Sequence, residues 1–143
     1  MKITLDIRSL EPGNKYRGIG YYIYSLVKNI VRIDRDSSYL LFAYSKNNPL
    51  YQELKNIKNV HFCFTPKLNL KPRIFWWLDN IGLLYLLLKH RPNLFHSLDY
   101  NPPLIKFCPT VLTIHDMIPY IFPGQYLKPF DKKMGTVHQI QIG

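Results

Sequence analysis

The sequence predicts an α/β fold in which a parallel sheet is flanked by helices. Three observations lead there. Short runs rich in β-branched and aromatic residues alternate with segments of helical periodicity, the order of βαβ units. The opening run, Lys2–Ile7, has the mixed alternation of a strand buried in a parallel sheet. Between it and the first helical segment lie Pro12, Gly13 and Asn14, which is turn chemistry.

Taken in order, the elements are as follows. From Gly18 to about Ile33, Ile19, Tyr22, Ile23, Leu26, Val27, Ile30 and Ile33 recur at spacings of three and four and form one stripe, with Lys28, Asn29 and Arg32 opposite. This predicts a helix that stops at the polar cluster Asp34–Ser38. Tyr39–Tyr44 reads as a second strand, Leu50–Lys55 as a short helix and Val60–Phe64 as a third strand. Pro72–His90 is a second long helix, with a proline suited to its first turn and His90, Arg91 and Pro92 as its stop. Its Ile81–Leu88 part is apolar nearly all round; burial between sheet and helices is expected, with a membrane-contacting face as the alternative. Asn93–Ser97 and Thr110–Ile114 complete the strands. From Met117 the text turns Pro-rich, and Met134–Gly143 shows no usable periodicity.

Composition sets bounds on function. A chain of 143 residues can bury one core, and 47% hydrophobic with 15% aromatic content argues against disorder. Eleven Tyr, eight Phe and two Trp suit grooves facing sugars or lipid headgroups, or simply a Tyr-heavy core rim. Nineteen Lys and Arg against nine Asp and Glu give a net charge of +10, which favours anionic partners. The charges are scattered, with neither zinc-ligand spacing nor a basic helix with heptads, so a nucleic-acid partner is not expected. Cys63 and Cys108 stand far apart behind a start that is unlike a secretory leader, which points to a reduced cytoplasmic compartment. The longest apolar run, Ile81–Leu88, is far shorter than the roughly 18–20 residues of a membrane span.

Ligands of open parallel sheets bind outside the carboxyl ends of the strands. Three features share that address: the Arg17-Gly18-Ile19-Gly20 turn opening the first helix, His96 with the loop through Tyr100, and His115-Asp116. The turn is either a plain tight turn or an anion-binding helix start, since it lacks the third glycine of a dinucleotide fingerprint. Arg17 could contact a phosphate or be solvated. His96 and Tyr100 suit an acceptor groove or ordinary packing. His115 could donate to a sugar hydroxyl, position an acceptor or give acid–base help near neutral pH, or be satisfied within its loop. Asp116 could orient it or cap the following turn. His61, His90 and His138 read as structural or exposed, and no cluster has metal-ligand spacing.

Together these segments resemble the N-terminal half of a retaining glycosyltransferase of family 4, with the GT-B architecture. The matching text is Ile3-Thr-Leu-Asp6-Ile-Arg8 with Arg17-Gly18-Ile19-Gly20-Tyr21-Tyr22, then Pro92-Asn-Leu-Phe95-His96-Ser97 with Tyr100 and Pro102-Pro103, then Thr110-Val-Leu-Thr-Ile-His115-Asp116-Met-Ile-Pro119 with Pro123. Trp76-Trp77 fits the mannosyltransferase-like branch. The resemblance implies a Rossmann-like domain over residues 1–130 that shapes the acceptor side. It implies transfer of a hexosyl unit, with retention, from a nucleotide sugar (a UDP- or GDP-sugar) to a glycan or lipid-linked acceptor in cell-surface polysaccharide synthesis. It implies that no metal or other cofactor is required. Gly18 and Gly20 with Arg17 would lie near the donor diphosphate, His96 and Tyr100 by the acceptor, and His115 with Asp116 by the transferred sugar.

The family continues into a nucleotide-binding C-terminal domain with a pair of glutamates. Lys132–Gly143 carries nothing of that kind, so residues 131–143 read as an atypical tail. The expectation is a truncated product or fragment, inactive alone, whose missing domain could come from a separate chain. A non-catalytic module or pseudoenzyme, peripheral on the inner face of the plasma membrane, is the alternative.

Overall fold

Among the described residues five short strands, β1 (Lys2–Asp6), β2 (Ser38–Ala43), β3 (Val60–Phe64), β4 (Leu94–Ser97) and β5 (Thr110–Leu112), form one all-parallel sheet in the order β3-β2-β1-β4-β5. The computed structural model describes residues 1–67, 69–122 and 125. Helices α1 (Gly18–Ile33), α2 (Pro49–Leu54) and α3 (Pro72–His90) flank the sheet, and a short α4 (Ile118–Ile121) follows it in the chain. This is an α/β, Rossmann-like arrangement. The chain divides into two compact units, Met1–Thr113 with the sheet and α1–α3, and Ile114–Gly143, whose described part contains α4.

The sheet is covered on both faces because alternate residues point to opposite sides. Ile3, Leu5 and Ile7, with Tyr39, Leu41 and Ala43, pack against Ile23, Val27 and Val31 of α1 and Leu50 and Leu54 of α2. Leu40, Phe42 and Phe95 face the other way, onto Leu83, Leu86 and Leu87 of α3. The Phe42 and Phe95 rings lie 6.5 Å apart between centroids. Asn48 ties the layers together. Its Oδ1 accepts the Leu50 N–H at 3.0 Å and caps α2, while its Nδ2 donates to the Leu10 carbonyl at 3.0 Å.

Register aligns the carboxyl ends. Asp6 stands opposite Phe42 on one side and Ser97 on the other, Phe42 opposite Cys63, and Ser97 opposite Leu112. The loops leaving β1, β2, β4 and β5 therefore start from one level of the sheet.

Two expectations change, and one stretch left without an element gains one. The strand expected over Thr110–Ile114 ends at Leu112, because its neighbour β4 stops at the facing Ser97. The Thr113 N–H still donates to the Ser97 carbonyl at 3.0 Å, and the ladder has no further partner there. The Pro-rich text after Met117 holds α4, a helix with its proline in the first turn, where no N–H is needed. The apolar run Ile81–Leu88 is packed on one side only: Leu83, Leu86 and Leu87 are buried, while Ile81, Tyr85 and Leu88 are exposed. Among the described residues no helix is long and apolar enough to cross a membrane. The tail assigned to 131–143 lies outside the described residues.

Candidate functional site

Where β1 ends, Asp6 and Arg8 turn to the α3 side. Arg8 is 4% exposed and is gripped by two carboxylates. Its Nη2 and Nε donate to the two Asp6 oxygens at 2.6 and 2.8 Å, and its Nη1 donates to Asp79 of α3 at 2.6 Å. Asn101, beyond β4, donates to the other Asp79 oxygen at 3.3 Å. The Tyr44 ring, just after β2, lies 5.7 Å from the guanidinium carbon. Burial works against the Arg8 charge, but the pull and hydrogen bond of Asp6, with the pull of Asp79, hold it protonated above its usual range. Burial pushes the Asp79 carboxyl up, partly offset by Arg8. This cluster joins the exits of β1, β2 and β4 to α3.

The loop after β4 is held as firmly. Ser97 Oγ donates to the carbonyls of Asp99 (2.7 Å) and Asn101 (3.0 Å). The Asp99 carboxylate accepts from Ser9 Oγ at 2.5 Å and from the Tyr100 N–H at 2.7 Å. Tyr100 is therefore presented from a loop fixed at both sides, half-buried at the carboxyl edge.

His96 lies on the other side of the sheet, in register with Leu5. Its Nε2 is 2.9 Å from Thr113 Oγ1, which is in turn 3.4 Å from the Tyr22 hydroxyl of α1. Burial pushes the imidazole below its ordinary range, so it is neutral at pH 7, with one nitrogen a donor and the other an acceptor. A hydrogen-bonded chain thus links His96 to the helix that the glycine turn opens.

The two glycines of that turn have different reasons to be glycine. Gly18 has φ +53°, a left-handed conformation that a side chain rarely adopts. Gly20 is buried, and a Cβ there would lie 2.3 Å from the Asn14 carbonyl oxygen. Asn14 itself accepts the Glu11 N–H (2.9 Å), donates to the Ser9 carbonyl (2.9 Å) and accepts the Arg17 N–H on its own carbonyl (3.1 Å). The loop is therefore clamped onto the helix start. Arg17 is the extended, exposed residue immediately before α1.

His115 and Asp116 belong to the second unit. The Asp116 carboxylate accepts the Ile118 N–H at 3.1 Å, beside the start of α4. Among the described residues no group of three or more His, Cys, Asp or Glu side chains is placed to hold a metal ion.

Sequence reasoning missed Asp79 and the clamping role of Arg8. The available signal was that Asp79 is the sole acid of α3. It also missed an open groove of about 830 Å³ at the opposite end of the sheet, lined by Lys28, Arg32, Arg35, Lys58 and His61 over Val31 and Leu54. Comparison with protein-family models, curated proteins and solved structures gives no match for this chain.

Proposed function

We propose that this chain is the acceptor-side domain of a retaining family 4 glycosyltransferase, which moves a hexosyl unit from a UDP- or GDP-sugar to a glycan or lipid-linked acceptor. The observation that carries the reading is the strand order. β1, β4 and β5 are neighbours within the first unit; the glycine turn follows β1 and His96 to Tyr100 end β4, while His115-Asp116 come after β5 in the chain, in the second unit. Neighbouring carboxyl ends are where an open parallel sheet binds its ligands.

In this reading the start of α1, with Arg17, favours the negative charge that develops on the leaving diphosphate. Neutral His96 and the fixed Tyr100 offer hydrogen bonds to acceptor hydroxyls. His115 serves the transferred hexose, and its neighbour Asp116 accepts the Ile118 N–H. A second domain, on the same or another chain, holds the nucleotide.

The test is reconstitution. The chain is combined with the nucleotide-binding domain of a family 4 enzyme and offered labelled UDP- and GDP-hexoses with glycan acceptors. Transfer with retained anomeric configuration is expected. His115→Ala should lower the rate by about 100-fold or more. Transfer that survives this substitution would make His115 structural, and no transfer with any donor would count against the reading.

A further inference from the structure

Helix α3 carries a second apolar stripe, opposite the one that packs on the sheet. Ile74, Trp77, Leu78, Ile81, Tyr85 and Leu88 are between 44% and 60% exposed, whereas Leu83, Leu86 and Leu87 are buried. At 3.6 residues per turn the six exposed side chains fall within an arc of about 100° and extend about 21 Å along the helix. A continuous exposed stripe of this kind marks an interaction surface.

The charges around it name the partner. Lys71 immediately precedes α3 and Lys89 lies in its last turn, so a lysine stands at each end of the helix that carries the stripe. Lys89 Nζ lies 5.9 Å from the centre of the Tyr85 ring. Arg73 and Arg91 are exposed at the same two ends. The sole acid of the helix, Asp79, is turned inward onto Arg8. An apolar face bounded by cations and free of acids is complementary to an anionic bilayer surface, where rings settle at headgroup depth and lysines reach phosphates. A second copy fits worse. In a twofold pair, parallel or antiparallel, the cationic ends would meet cationic ends with no acid between them.

We propose that this face of α3 docks in the plane of an anionic lipid bilayer, lying on the membrane without crossing it. The inference stands independently of the glycosyl-transfer reading.

The full chain is mixed with vesicles of phosphatidylcholine alone and of phosphatidylcholine with phosphatidylglycerol. Co-sedimentation with the anionic vesicles is expected, weakened by salt and accompanied by a blue shift of tryptophan emission. Leu78→Glu with Ile81→Glu should lower partitioning about tenfold or more while leaving the circular-dichroism melt unchanged. Should that variant unfold, Lys71→Gln with Lys89→Gln carries the test, and loss of preference for anionic vesicles is expected. Absence of binding to anionic vesicles, or binding by the folded variants equal to the parent, would overturn the proposal. So would a sedimentation-defined dimer that the Leu78 and Ile81 substitutions dissolve, which would assign the face to a second copy.

Discussion

Arg8 is the residue on which the carboxyl edge turns, because among the described residues it alone pairs with both buried carboxylates, Asp6 of β1 and Asp79 of α3. Replacing it by leucine would leave Asp6 and Asp79 facing each other without their counter-ion. A loss of about 3–5 kcal/mol in unfolding free energy is expected, read by urea denaturation. A loss below about 1 kcal/mol would mean that the cluster does not hold the edge together. His96 makes a prediction in pH. Its folded-state value lies below that of the unfolded chain, so the unfolded chain binds the extra proton in that window. The stability from its neutral form is complete above about pH 6.5 and is lost as pH falls below it. The melting temperature should therefore drop between pH 7.5 and 5.5, and His96→Gln should drop less. Comparing the two proteins cancels Asp79, whose raised value acts in the opposite sense. Equal slopes would remove His96 from the account. Only part of this residue scale was legible. The motifs exposed His96 and Gly18, but the Arg8–Asp79 pair joins positions 71 apart, which no local pattern encodes. Gly20 is demanded by Asn14 packing on it, a contact visible only once the loop folds back.

At the scale of elements, periodicity was a good guide to existence and a poor one to facing. The α1 stripe pointed to the buried side through Ile23 and Val27, but Tyr22 and Ile33, within it, are exposed, and Val31, outside it, is buried. α3 is apolar nearly all round, so no pattern distinguished the sheet face from the exposed face. Tertiary packing on Leu40, Phe42 and Phe95 decides it. The consequence is measurable within one helix. Leu83→Ala should cost about 2–4 kcal/mol in denaturant unfolding, from lost burial and the cavity left behind. Ile81→Glu, two residues earlier, should shift stability by no more than about 0.5 kcal/mol. Similar costs at both positions would contradict the two-faced description of α3. The shortened β5 has a comparable origin: its sequence is β-prone through Ile114, but strand length is set by the neighbour it pairs with.

For the whole molecule, alternation of elements was enough to predict a parallel α/β sheet, and the sheet is there. The order β3-β2-β1-β4-β5 places β3 and β4 on opposite sides of β1 and is not written in any single segment. That order supports the glycosyl-transfer reading, since it makes neighbours of the three strands that the motifs follow or end. The most direct test of that reading is an NMR titration of the isotopically labelled full chain, combined with an unlabelled nucleotide-binding domain of a family 4 enzyme, with UDP- and GDP-hexoses and with short glycans. The account predicts shift changes centred on Gly18, His96, Tyr100 and His115. Changes confined to the groove of Lys28, Arg32, Arg35 and Lys58, or no change with any of these ligands, would contradict it.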